Sequence, residues 1–171
     1  TTDKVIVSAV PIYGDLELTL PETEDESPKD NVWLLSNFER GLSLRSTYGG
    51  NLPAYYPVIA KWNNGTATSI KSIDLTAPGY QNPGILSDAI QENIDDLAGF
   101  EGTASSFGTT GIQISSDQIS SRVLVIIIPR NSPKEAYNEL ISKTYDAAIY
   151  GVQIQIEQYG SSFRFVDKET N

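Results

Sequence analysis

The order of elements along this chain predicts an α/β domain: a mixed β-sheet flanked by helices, preceded by a short β-rich N-terminal segment. Three observations carry that class. GILSDAIQENIDDLAGF (84–100) sets Ile85, Leu86, Ala89, Ile90, Ile94 and Leu97 at helical spacing with its acids on the opposite side. Asn64-Gly65 punctuates two short β-rich runs and is the strongest local signal of a hairpin. RVLVIIIP (122–129) is apolar without alternation, as expected of a central, parallel strand covered on both faces.

In chain order, DKVIVSAVPIYGDLELTL holds two β-rich runs about a Tyr13-Gly14-Asp15 turn, with Pro11 favouring an edge position. This gives an N-terminal β-rich segment, 1–20. PETEDESPKDN (21–31), with five acids and two prolines, reads as a solvated linker. The α/β domain then spans 32–171. SNFERGLSLRSTYGG is its first helix: Ser36 and Glu39 form a capping box, Gly49-Gly50 supply the stop, and Phe38, Leu42 and Arg45 share one face. SPKEAYNELISKTYDAAIYG is a later helix, with Ser132 as N-cap and Pro133 at the first helical position. VQIQIEQYG alternates as a strand, and SSFRFVD offers a further one.

The hairpin register follows from its turn. With Asn64-Gly65 as a two-residue loop, Asn63 pairs with Thr66, Trp62 with Ala67, Lys61 with Thr68, and Ala60 with Ser69. Opposed residues share a face, so Ala60, Ser69 and Lys71 are expected on one surface and Asp74 on the other.

Composition narrows the chemistry. The 171 residues contain neither Cys nor His, which removes disulfides, thiolate and imidazole metal ligands, and His-based triads. Any metal must be held by oxygens. A net charge of −10, from 22 acids and 12 bases, disfavours a generic phosphate-binding surface, so a nucleic-acid site would need a local basic patch. No apolar run reaches the roughly 18 residues needed to cross a bilayer. A chain that starts at Thr1 and lacks Met is expected to be a piece of something longer.

The residues NVWLLSNFERG, GGNLPAYYPVIAKW, GTATSIKSIDL and YQNPGILSDAIQENIDDLAGF resemble the C-terminal toxin domains of bacterial contact-dependent growth inhibition (CDI) systems, which have the PD-(D/E)xK nuclease fold. The likeness runs from Asn31 to about Gln158. The family text has R-G-x-x-x-E on a helix, then P-V-I-D and S-x-K on the two hairpin strands. Arg40-Gly41, Pro57-Val58-Ile59 and Ser69-Ile70-Lys71 match it, whereas Arg45 stands where the helix Glu is expected and Ala60 where the metal-binding Asp is expected.

The resemblance implies a nuclease toxin delivered from a bacterial cell surface to act in a target cell's cytoplasm, with Mg or Zn as the divalent metal of active relatives. It also implies a nucleic-acid substrate and a cognate immunity protein as partners, with the long loop region 101–121 as a docking element for the latter. Lys71 and Ser69 carry over as catalytic residues, while Ala60 and Arg45 offer no carboxylate to a hard cation. The implied chain is therefore a nuclease scaffold without activity as written. Ala60 fits equally a small core residue, a natural loss of the acid, or an acid removed by design. Ser69 and Lys71 alone would also fit the polar half of an ordinary strand, and Arg45 a side chain whose stem covers apolar surface. A different class remains open: a non-catalytic binding module on the same scaffold, with Arg45 and Lys71 forming an anion pocket. A structural domain of a large surface protein also fits the composition.

Overall fold

A computed structural model describes residues 3–6, 31–103 and 112–165. The proposed turn at Tyr13-Gly14-Asp15, most of the acidic linker and the loop centre at 104–111 lie outside the described residues.

The architecture is one five-stranded mixed sheet with helices on both faces. Its elements are β1 (Asp3–Ile6), α1 (Asn37–Thr47), β2 (Lys61–Asn63), β3 (Thr66–Ser72), α2 (Ile85–Ala98), β4 (Ser121–Ile128), α3 (Lys134–Ile149) and β5 (Val152–Gln158). The strand order is β1-β5-β4-β3-β2. β4 runs parallel to both β3 and β5, while β2 and β1 pair antiparallel at the two edges. β1 thus joins the same sheet as the rest.

The unbroken apolar run of β4 is explained by what covers it. Leu124, Ile126 and Ile128 point into a core with α2 and α3, filled by Leu86, Ile90, Ile94, Leu97 and Leu140. Val125 and Ile127 point the other way, to Val32, Trp33 and Leu44 beneath α1. α2 and α3 also share a polar tie. Gly84 before α2 has no side chain to cap it, and Glu139 of α3 accepts from Ser87 N (3.1 Å) and Ser87 Oγ (2.6 Å), setting a carboxylate at the positive end of the helix.

Three local expectations change. α3 starts at Lys134 with Pro133 as its N-cap, and Ser132 instead donates to the Pro129 carbonyl at 2.6 Å. Residues 161–165 form no strand, because their polar groups bind loop residues rather than a sheet edge. The apolar stripe on α1 is turned outward: Phe38 is 72% and Leu42 40% exposed, while Arg40 and Leu44 are the buried pair. The helix ends as its glycines predict. Gly49 has φ +87°, its N–H bonds Ser46 O and that of Gly50 bonds Arg45 O at 2.7 Å, a Schellman closure.

The long loop after α2 is closed at its base by backbone. Thr103 N donates to Ile114 O at 2.8 Å, and Gly102, with φ +101°, passes so close that an added Cβ would lie 2.1 Å from the Ile114 oxygen. Gly102→Ala is expected to destabilise the domain by more than about 1 kcal/mol in urea denaturation. An unchanged midpoint would show that this closure carries no stability.

Candidate functional site

The hairpin that should carry the chemistry folds as its turn dictates up to Lys61. Asn64 (φ +51°) and Gly65 (φ +87°) make the loop, and Asn63, Trp62 and Lys61 pair with Thr66, Ala67 and Thr68. Beyond that point the register departs from simple alternation. Ala60 N donates to Thr68 O at 2.8 Å, although Thr68 is already the partner of Lys61, so two residues face one as in a β-bulge. Ala60 is therefore not directly opposed to Ser69.

The chain enters this bulge through a tight turn. Val58 has φ +65° and Ile59 N bonds Pro57 O at 2.6 Å, a three-residue turn that a β-branched residue adopts only under strain. The exit is pinned from the other side. Asn51 N and Leu52 N both donate to Ala60 O, and the Asn51 side chain pairs with both backbone groups of Trp62 along the exposed edge of β2. The small side chain at position 60 is 1% exposed.

A cavity of about 580 Å³ opens beside this hairpin, between α1, the C-terminal end of β3 and the segment after β5. Lys71 and Arg45 line it; Ala60 and Ser69 do not, and Ser69 is 2% exposed. Of the four positions singled out from sequence, two meet in the cavity and two lie in packed interior. The Arg45 Nη2 donates to the carbonyls of Leu52 (2.6 Å) and Pro53 (2.8 Å), and burial lowers the pKa of its guanidinium. Arg45 thus braces the loop that brackets Ala60. Lys71 is exposed and has no ion pair or hydrogen bond among the described residues.

Three further residues line the cavity: Arg40, read from the sequence only as part of the R-G match, Arg164 and Asp74. Arg40 is 7% exposed; its Nε donates to Ser72 Oγ (2.9 Å), its Nη2 to Asn37 Oδ1 (2.9 Å), and its Cζ lies 5.1 Å from the centre of the Trp33 ring, whereas Nη1 is buried with no hydrogen-bond partner among the described residues. Burial lowers its pKa most, the nearby Arg164 lowers it further, and Asp74 acts in the opposite sense. Arg164 itself comes from the segment after β5. Asp74 also lines the cavity, on the side that strict alternation denied it, because β3 stops at Ser72 and the chain turns away.

Among the described residues, Asp74 is the one carboxylate on the cavity lining, and its oxygens are engaged. Oδ1 accepts from Thr76 N (3.0 Å) and Thr76 Oγ1 (2.6 Å), and Oδ2 from Ser162 Oγ (2.5 Å). Arg40, Arg45, Lys71 and Arg164 line the same cavity, and of these Arg40 interacts with it. This donor set does not fit a divalent cation, which favours several charged oxygens. Among the described residues, no group of three or more His, Cys, Asp or Glu side chains could hold a metal ion.

Asp74 anchors the loop after β5 across 88 residues of sequence. Asp74→Ala strands the buried Ser162 hydroxyl and is expected to cost about 1–3 kcal/mol in chemical denaturation. A loss below a few tenths would contradict the anchoring role.

Comparison with known proteins agrees with the fold. The CDI toxin restriction endonuclease-like domain matches residues 40–157. Deoxyribonuclease CdiA-o11 of Escherichia coli O157:H7 (strain EC869) is 28% identical over 153 residues, covering 82% of this chain and 38% of that protein, so the chain spans well under half of its length. A chain from the CdiA-CT/CdiI toxin and immunity complex of Yersinia pseudotuberculosis superposes with a TM-score of 0.56 at 24% identity, over 65% of this chain and 89% of that one, a likeness of fold. With the sheet order, the helix before the hairpin and the match across most of its length, the chain belongs to the family of CDI toxin restriction endonuclease-like domains.

Proposed function

We propose that this domain is a nuclease toxin whose ancestral reaction is metal-dependent cleavage of DNA or RNA, and that the chain as written binds nucleic acid without cutting it. The observation that carries this reading is the cavity lining, which among the described residues has four cations and one carboxylate whose oxygens already accept three hydrogen bonds. Phosphodiester hydrolysis of this kind uses a divalent cation to stabilise the pentavalent transition state and to lower the pKa of the attacking water. Ala60 offers no oxygen from its side chain, and Arg45 stands in place of the helix acid with its guanidinium on backbone carbonyls. Lys71 remains free to neutralise charge on a phosphate or to orient water. Losing one transition-state stabiliser typically lowers the rate by about a hundredfold to a thousandfold, and two positions are affected here.

The name of the Escherichia coli relative favours DNA over RNA as the ancestral substrate. The toxin and immunity complex of the structural relative supports a dedicated immunity protein as the partner of this domain, and family membership supports delivery from a bacterial cell surface into a target cell. The same cations favour a second reading, a non-catalytic binding module on this scaffold. Since the Arg45 Nη2 already donates to two carbonyls, the anion pocket of that reading moves from Arg45 and Lys71 toward Arg40 and Arg164.

The unmodified chain is expected to show no cleavage of plasmid or RNA above background with Mg²⁺, Mn²⁺ or Zn²⁺. Ala60→Asp combined with Arg45→Glu is expected to restore metal-dependent nicking, provided circular dichroism shows the variant folded. A folded double variant that still cuts nothing would count against the nuclease ancestry of the site. Robust cutting by the unmodified chain, lost on Lys71→Ala, would overturn the inactive assignment.

A further inference from the structure

The segment after β5 lies beyond the residues matched by the family, yet it is among the most firmly tied parts of the molecule. Trp33 Nε1 donates to Tyr159 O at 2.7 Å, Arg130 N to Gly160 O at 2.7 Å, and the Asn31 side chain to Ser161 O. Ser162 exchanges two hydrogen bonds with the Asn131 side chain and gives its hydroxyl to Asp74. Five residues from three separate stretches hold this short segment, and Arg164 follows two residues after Ser162.

Arg164 is exposed, lines the cavity, and has no ion pair among the described residues. Its charge acts on Arg40, whose Nη1 has no partner among the described residues, and Lys71 also lines the cavity. Arg40 and Arg164, like charges held near one another on this cavity, repel one another, and in a chain of net charge −10 nothing in the overall composition requires it. A bound anion relieves the repulsion. The cavity is much larger than a single phosphate group and carries Phe38, 72% exposed, on its lining. An aromatic face beside convergent cations suits a nucleotide, with its phosphate on the cations and its base or sugar against the ring.

We infer that Arg164, carried by the clamped segment after β5, is a nucleic-acid-binding residue that acts with the buried Arg40 on one backbone phosphate, with Phe38 as the contact for the adjoining nucleotide. This rests on the nucleic-acid reading above and adds to it a residue and a segment outside the family match. Arg164 works by charge and position, and no bond is made or broken.

The test is fluorescence anisotropy of a labelled single-stranded oligonucleotide against the full chain, titrated over a range of salt. Arg164→Ala is expected to weaken binding about tenfold at low salt and to reduce the slope of log K against log salt by about 0.7. Phe38→Ala is expected to weaken binding about fivefold or more with the slope unchanged. Arg122→Gln removes the same charge from the N-terminal end of β4 and keeps a donor for the Phe100 carbonyl; it is expected to bind like the parent. No binding by the unmodified chain would overturn the nucleic-acid reading and the role of Arg164 together. Binding by the parent that Arg164→Ala leaves at the level of Arg122→Gln would overturn the Arg164 assignment alone. Displacement of the oligonucleotide by millimolar inorganic phosphate at matched ionic strength would instead make a free anion the occupant.

Discussion

The burial of β4 on both faces is the constraint from which the rest follows. A strand with Leu124, Ile126 and Ile128 on one side and Val125 and Ile127 on the other needs cover above and below. α2 and α3 supply one layer; α1 with the turn at Val32–Leu34 supplies the other. Because β3 and β5 flank it in parallel, all three strands deliver their C-terminal ends to the same edge of the sheet. Ligand sites of open α/β sheets form outside such ends, where loops diverge. The cavity sits at that edge, and its polar residues follow the strands: Lys71 and Asp74 at the end of β3, and Arg164 beyond β5.

Polar side chains then fix what the strands only bring close. Asp74 after β3, Asn131 after β4 and Ser162 after β5 form one hydrogen-bonded set, each link buried or half-buried. In such surroundings a missing partner costs more than the bond contributes, so the set enforces one arrangement of the three loops. On the opposite flank, Arg45 and Asn51 do the same for the strained approach to the hairpin. Fixed hydrogen bonds on both sides leave the cavity walls little freedom, a setting in which unpaired cations can be held near one another.

The sheet was legible because its signals are local. The Asn-Gly turn, the unalternating β4 and the capping box of α1 each depend on a few adjacent residues, and each appears where expected. The site was legible only in part. Alternation counted back from the turn fails at Ala60, where a bulge inserts a residue, and counted forward it fails at Asp74, where β3 has ended. The outward stripe of α1 misled for a related reason: periodicity identifies a face without saying what it meets. Arg40 looked like part of a motif and turned out to be buried against Trp33; Arg164 carried no signal, since its position depends on contacts such as Asp74 to Ser162, 88 residues apart. A basic residue followed by an aromatic near the end of a chain is too common a pattern to point to such a place.

The tying of the segment after β5 also bears on where this domain ends. The family match stops at residue 157, and a boundary drawn there would look natural because β5, the last strand along the described chain, ends just beyond it. Cutting the chain at that point would leave the Trp33 indole N–H, the Asn31 and Asn131 amides and the Asp74 carboxylate facing groups no longer present. The folded unit is thus larger than the unit recognised by sequence, and its last stretch belongs to it as firmly as a strand. A domain trimmed to the matched residues would therefore lose Arg164 from the cavity lining together with the contacts that set its place there.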